Sequence, residues 1–301
     1  MKSRQHHDSI SPLPIKNGVA PNRLWLPEGP WETVFDFFLS CFPHLTVEDC
    51  AARFERGEVV TSTGVAFSKT SQYLSGEHLY FYRELKSEID VPFEEHIVYQ
   101  DDNILVADKP HFLPVAPTGQ YLHNTLLVRL RNKLSIDELE LCHRLDRETA
   151  GLVLLSKSKQ LRACYHSLFA ERNITKVYHA LAPPINQELP TTFRCRLGKG
   201  EPYFRMKPVD GEANSETHVE LLEKRGSLNL YQLKPVTGRK HQLRVHMCSL
   251  GAPIHNDPIY PQLSGRLPED FSKPLALLAK ELHFVDPLSG CSHSFISKQC
   301  L

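Results

Sequence analysis

The stretch 141–156, Leu-Cys-His-Arg-Leu-Asp-Arg-Glu-Thr-Ala-Gly-Leu-Val-Leu-Leu-Ser, constrains this chain more than any other. A polar cluster, 143–149, runs through Gly151 into the apolar run 152–155. Four apolar residues between Gly and Ser read as a short buried strand. The polar cluster is then a loop delivered by the end of a sheet, where functional side chains concentrate. Asp146 stands between Arg144 and Arg147, and cations at that spacing hold a carboxylate ionised even when it is partly buried. A solvated turn with surface ion pairs would use the same residue types, so the reading needs support from the rest of the chain.

Composition narrows the classes. A chain of 301 residues has ample length for one large domain, or a large and a small one. No run of 18 or more apolar residues occurs, so no transmembrane helix is expected. The first residues lead into Pro-rich sequence without an apolar stretch, so no secretory signal is expected and a cytoplasmic location is. Eight scattered cysteines without a Cys-x-x-Cys pair read as reduced thiols. The sixteen histidines include His6, His7, His241 and His246, yet no His-Glu-x-x-His or facial-triad spacing appears, so no metal is expected. Lys+Arg and Asp+Glu balance at 35 each. That balance hides an asymmetry: residues 1–99 hold 9 basic and 14 acidic side chains, residues 100–301 hold 26 and 21. A polyanion would be gripped mainly by the larger, C-terminal part.

Residues 1–29 are proline-rich without periodicity and read as a flexible arm. Val34, Phe35, Phe38, Leu39 and Phe42 recur at helical spacing over 31–42, ahead of Pro43. Thr46 and Asp49 open a second helix by the capping-box pattern, which Gly57 closes. Short strands at 59–61 and 79–82 follow, and 84–95, rich in Glu with Pro92, reads as a linker. A strand pair, 97–99 and 104–107, then ends at Asp108-Lys109-Pro110. Lys109 reads either as a solvated loop lysine or as a phosphate contact. Helices are expected at 124–134 and 160–171. The segment 174–180 reads as a strand with a Lys-x-Tyr-x-Ala pattern from Lys176, in which Tyr178 could be an ordinary core tyrosine. Lys199, Arg205 and Lys207 sit in a Gly/Pro-containing excursion, and Thr237-Gly-Arg-Lys-His-Gln-Leu-Arg-Val-His246 places a turn before a helix start.

The three runs in this order resemble the RluA-type RNA pseudouridine synthases, over roughly residues 96–290. His143-Arg-Leu-Asp146 with Thr149-Ala-Gly-Leu152 is similar to that family's signature loop, with Ala150 where Ser is usual. Phe112 stands where the family usually has Gly, so a different or wider turn is expected there. The resemblance implies an α+β fold: a mixed, mostly antiparallel, bent sheet with flanking helices over 96–301. It implies Asp146 as the catalytic carboxylate, Tyr178 facing the target base and Arg244 pairing with the Asp. Residues 30–83 loosely resemble the alpha-L RNA-binding module, a small α/β domain, although Arg53, Arg56 and Lys69 are outnumbered by acids.

Pseudouridine formation breaks the bond from the ribose anomeric carbon to uracil N1 and rejoins the base through C5. It calls for a carboxylate at the anomeric centre and for no metal, phosphoryl group or cofactor. RNA, ribosomal or transfer, is the expected partner of a monomeric, membrane-free protein. Arg144, Lys109, Lys176, Arg205, Arg239 and His241 are the expected RNA contacts, with Arg144 filling the space left by the everted base. Two rivals remain. A non-catalytic RNA-binding or ribosome-assembly protein on the same fold would be expected to lack Asp146, Tyr178 or Arg244. A hydrolase pairing His143 or His246 with Asp146 would need a nucleophile motif, and none is present.

Overall fold

In the computed structural model, which describes residues 11–301, the chain divides into two units, residues 1–86 and 87–301. In the first, strands β1 (Asn22–Trp25), β2 (Val60–Thr61) and β3 (His78–Phe81) form an antiparallel sheet in the order β1-β3-β2. Helices α1 (Val34–Cys41) and α2 (Val47–Glu55) pack on it through Phe37, Phe38, Cys50 and Phe54. Both helices open on complete capping boxes, Thr33 with Asp36 and Thr46 with Asp49, which satisfy backbone donors that the first turn cannot. Thr33 is why α1 starts at Val34 and not at Trp31.

The arm expected over residues 1–29 is corrected in part. Its first ten residues lie outside the described ones, but Asn22–Trp25 pairs with β3 and Leu26 is fully buried. Leu24 and Leu26 lie two residues apart on one face of the extended segment, a period that the surrounding prolines obscure. Basic side chains of this unit are committed to acids: Arg53 and Arg56 to Glu84, Lys69 to Glu55, Lys86 to Asp49.

The second unit is built on one large sheet. It contains β4 (His96–Gln100), β5 (Ile104–Lys109), β6 (Glu140–Leu141), β7 (Ala150–Ser156), β8 (Ile174–Ala182), β9 (Thr191–Lys199), β10 (Met206–Val209), β11 (Ser215–Arg225), β12 (Leu228–Pro235), β13 (Leu277–Val285) and β14 (Ser292–Ile296). The main order is β10-β9-β11-β12-β8-β13-β7-β5-β4, with β14 on β13 and β6 on β7. Every pairing in it is antiparallel except β13 with β7. Three helices, α3 (Leu126–Leu134), α4 (Lys159–Ala170) and α5 (Gln242–Ser249), cover it.

The unbroken apolar run of β7 follows from this layering. Val153 and Leu155 join Leu126, Leu127 and Leu130 of α3 in one core, while Leu152 and Leu154 join Tyr165 and Leu168 of α4 in another. A strand buried on both faces has no polar alternation to show. A third core places Leu243 and Met247 of α5 on Ala180, Tyr231 and Leu233.

The turn at Phe112 is not wider. Phe112 takes the left-handed conformation itself, with φ of 66°, and its ring is 1% exposed. That conformation costs an L-residue about 1–2 kcal/mol, and burying a phenyl ring returns roughly 1.5–3 kcal/mol.

Candidate active site

One row of residues across the sheet assembles the site. Leu233, Tyr178, Ala279, Gly151 and Lys109 are consecutive register partners on β12, β8, β13, β7 and β5. Tyr178 is thereby two strands from the start of β7, the strand that the 143–149 loop enters. The glycine of that loop is fixed by close approach: with φ of 111°, a Cβ on Gly151 would stand 2.3 Å from the Ala279 carbonyl oxygen. No other residue permits the parallel contact of β7 with β13.

Asp146 hangs from this loop, whose turn is closed by the Thr149 amide donating to the Asp146 carbonyl at 3.1 Å. Its Oδ2 accepts from Arg244 Nη1 at 3.2 Å. Arg244, on α5, is 2% exposed and grips a second carboxylate bidentately: Nε to Asp257 Oδ2 at 2.8 Å and Nη2 to Asp257 Oδ1 at 2.7 Å. Asp257 is fully buried and also accepts the Ile259 and Tyr260 amides. The guanidinium lies over the Tyr260 ring at 5.4 Å. Asp257 and Tyr260 thus hold Arg244 in one pose. His241 caps α5 in the left-handed conformation, pairs Nδ1 with the Tyr260 hydroxyl at 3.0 Å and brings Nε2 to 3.9 Å from Asp146.

Burial pushes the Asp146 carboxyl up, but the charges of His241 and Arg244, the Arg244 hydrogen bond and the Lys109 charge outweigh it and leave the group below its ordinary range. His241 is itself pushed down to about 4 by burial, so it is neutral at pH 7. The lasting positive charge on Asp146 is therefore that of Arg244. Burial opposes the charge of Arg244 too, and the Asp257 contacts outweigh it, so its pKa is raised.

The arginines flanking Asp146 in sequence are not its partners. Arg147 turns to Glu148 Oε1 at 2.6 Å and to the Tyr121 hydroxyl at 2.6 Å, and Glu148 is held in addition by Arg266 at 2.7 Å. Arg144 is exposed and makes no hydrogen bond or ion pair among the described residues. His143 accepts from the Leu154 amide through Nε2 at 3.0 Å and stacks on Phe169 at 4.4 Å. Burial pushes it down to about 3, and a ring nitrogen that accepts from a backbone amide cannot carry a proton. His246 lies between Ser215 Oγ and Thr217 Oγ1, each at 2.9 Å. Neither histidine is paired with Asp146 as a hydrolase would require.

Asp146, Arg144 and Arg244 border two cavities, of roughly 810 Å³ and roughly 440 Å³. Tyr178, Lys176, Thr149 and Phe169 line the smaller one. Burial and the Asp146 charge raise the Tyr178 phenol, so it stands as a hydroxyl at neutral pH.

The remaining expected contacts divide. Lys176 lines the smaller cavity, donates to the Thr237 carbonyl at 3.4 Å and is pushed down by burial to about 8. Arg239 is exposed on the rim of both cavities. His241 serves Asp146 and α5. Arg205 donates to the Pro261 carbonyl at 2.7 Å, lies over the Tyr260 ring and does not line either cavity.

Lys109 is corrected outright: it is fully buried and donates to the carbonyls of Pro110 at 2.9 Å and Arg147 at 3.2 Å. It cannot reach a phosphate. It pins the loop that carries Asp146.

Asp257 and Tyr260 went unassigned in the sequence. Gln242 did too: it accepts from Thr237 Oγ1 at 2.7 Å and from the Arg239 amide at 3.0 Å, closing the turn before α5. A side chain returning to its own turn within five residues is the signal that could have found it.

A mixed, mostly antiparallel sheet that brings one charged carboxylate, one arginine and one tyrosine to adjoining cavities has the architecture of a pseudouridine synthase. The RNA pseudouridylate synthase family model matches residues 103–249. The mitochondrial tRNA pseudouridine(32) synthase of Saccharomyces cerevisiae is 36% identical over 169 residues, 54% of this chain and 36% of that protein. Ribosomal large subunit pseudouridine synthase D of Neisseria meningitidis is 32% identical over 222 residues, 68% of this chain and 58% of that protein. The matches thus span 36% and 58% of those relatives' own lengths. The solved structure of Human RNA Pseudouridylate Synthase Domain Containing 1 superposes with a TM-score of 0.57 at 28% identity, covering 72% of this chain and 86% of that one. Over residues 103–249 this chain is thus similar to the RNA pseudouridylate synthases.

Proposed function

We propose that the protein isomerises specific uridines in structured RNA, ribosomal or transfer, to pseudouridine. The observation that carries this reading is the Asp146 carboxylate, 3.2 Å from a buried arginine and bordering the cavity that Tyr178 lines. In the reaction the N1–C1′ bond breaks, the uracil turns, a C5–C1′ bond forms and the C5 proton is lost while N1 gains one. Atoms and electrons balance without a further reactant. Asp146 acts at the sugar, where a negative charge stabilises the electron-poor anomeric carbon. Arg244 keeps that charge in place in a site that must exclude water. Tyr178 supplies the flat face for the uracil. Its phenol is protonated, so a role in removing the C5 proton requires that its own proton pass on in the same step. Arg144, free at the rim between the cavities, enters the stack the uridine leaves or holds the backbone there.

The test is pseudouridine mapping of RNA from cells with and without the gene, followed by the purified protein acting on the RNA so identified. Wild type is expected to restore the modification and Asp146→Ala to abolish it with RNA affinity changed less than about threefold. Tyr178→Phe is expected to bind RNA and fail to release product. Modification by Asp146→Ala, or the same RNA map with and without the gene, would refute the reading.

A further inference from the structure

A third cavity, of roughly 420 Å³, lies outside the catalytic groups and is lined by Arg172, Arg194, Arg196, Asn214, Glu216 and Arg239, among others. It adjoins the cavity lined by Tyr178, since Thr237 and Arg239 border both. Its four arginines arrive from three places in the chain: the turn after α4, strand β9 and the turn before α5. Arg194 and Arg196 are two residues apart on β9 and so share a face.

Four guanidinium groups repel one another, and little inside the protein offsets that. Among the described residues only Arg194 has a carboxylate in contact, Glu216 at 3.0 Å, while Glu212 also lines the cavity. Arg239 donates through Nε to the Asn214 carbonyl at 3.1 Å, which leaves its terminal nitrogens without a hydrogen-bond or ion-pair partner among the described residues. The side chains of Arg172 and Arg196 make no hydrogen bond or ion pair among the described residues.

The backbone around them is arranged at a cost. Arg172 holds the left-handed conformation at the end of α4, with φ of 63°, where glycine is the unstrained choice. Arg196 lies across Gly211, where a Cβ would stand 3.0 Å from its Cδ. The charge of Arg172 also acts on both sides of the boundary: it depresses the pKa of Lys176 in the neighbouring cavity and of Glu216 in this one. Among the described residues no aromatic side chain lines the groove, so they offer nothing for a base to stack on. What it offers is planar donor forks, which fit phosphate oxygens.

We propose that this groove binds the backbone phosphates of the RNA strand next to the uridine held in the Tyr178 cavity, an anchoring site that reads no sequence. The proposal rests on the synthase reading above. It makes affinity and chemistry separable: the groove sets how tightly RNA is held, and Asp146 sets what happens to it.

The test uses the full chain, with Arg172 and Arg196 both changed to Gln, and a fluorescent oligouridylate as probe. Removing two phosphate contacts from a single strand should flatten the slope of log affinity against log salt by about 1.4 and weaken binding about tenfold or more at low salt. The loss should vanish with a methylphosphonate oligouridylate, whose backbone is uncharged, and the double Lys variant should recover most of the slope. Arg172→Gly is expected to bind RNA more weakly while melting at the same or a higher temperature, which a merely structural arginine would not do. Single-turnover pseudouridine formation at saturating RNA should be unchanged. Unaltered affinity and slope in the double Gln variant would overturn the proposal, as would a fall in the saturated rate with affinity intact. Wild type that binds by these arginines but forms no pseudouridine in any RNA would overturn the synthase reading instead.

Discussion

Arg244 is held between two carboxylates, and replacing it separates stability from chemistry. Arg244→Met keeps the bulk of the side chain but leaves Asp257, which is fully buried, as a charge without a cation. Removing one partner of a buried ion pair costs about 3–5 kcal/mol, so a loss in that range is expected. Asp146 loses less, because 29% of its side chain remains exposed to the cavity. The double variant Arg244→Met/Asp257→Asn removes the stranded charge, while the Asn oxygen can still accept the Ile259 and Tyr260 amides. It should recover all but about 1–2 kcal/mol and still form no product, because the cation on Asp146 is gone. Both tryptophans, Trp25 and Trp31, belong to the first unit, so urea unfolding of the second must be followed by circular dichroism or tyrosine signals. In any residual activity the acid limb of the pH–rate profile should move up, since the Arg244 charge and hydrogen bond that help hold the Asp146 carboxyl down are gone. A single variant within about 1 kcal/mol of wild type, or a double variant no more stable than the single one, would refute this account of the pair.

Two further outcomes follow from the same geometry. Gly151→Ala forces a methyl group against the Ala279 backbone in a left-handed conformation, so β7 and β13 must part, and an unfolding free energy lower by about 3 kcal/mol or more is expected; an alanine variant of wild-type stability would refute the close approach. Lys109 titrates at about 7 in the fold, against an ordinary 10.5. The unfolded chain therefore binds more protons between those values. The cost of burying the charge is full below pH 7, fades as pH rises and is gone above 10.5, roughly 5 kcal/mol at most. The stability of wild type minus that of Lys109→Met should accordingly grow from pH 7 to 10, read from urea midpoints at each pH, and a flat difference would show that no charge is buried there.

Much was legible in the sequence because it is local. The 141–156 stretch announces a strand and a loop by its own polarity switch. Thr46 announces its helix through the acid three residues on. The order of the three motif runs implied the α+β fold and the residues to watch. Partner choice was not legible. Asp146 has arginines at 144 and 147, yet its cation is Arg244, 98 residues away, because the loop that enters β7 carries it to the α5 side chain. Lys109 could be a loop lysine or a phosphate contact in sequence and is neither, since the row it joins is formed by five strands that only the folded sheet aligns. Charge and residue type are written in the chain; which charges meet, and which are sealed from water, depends on distances that exist only after folding.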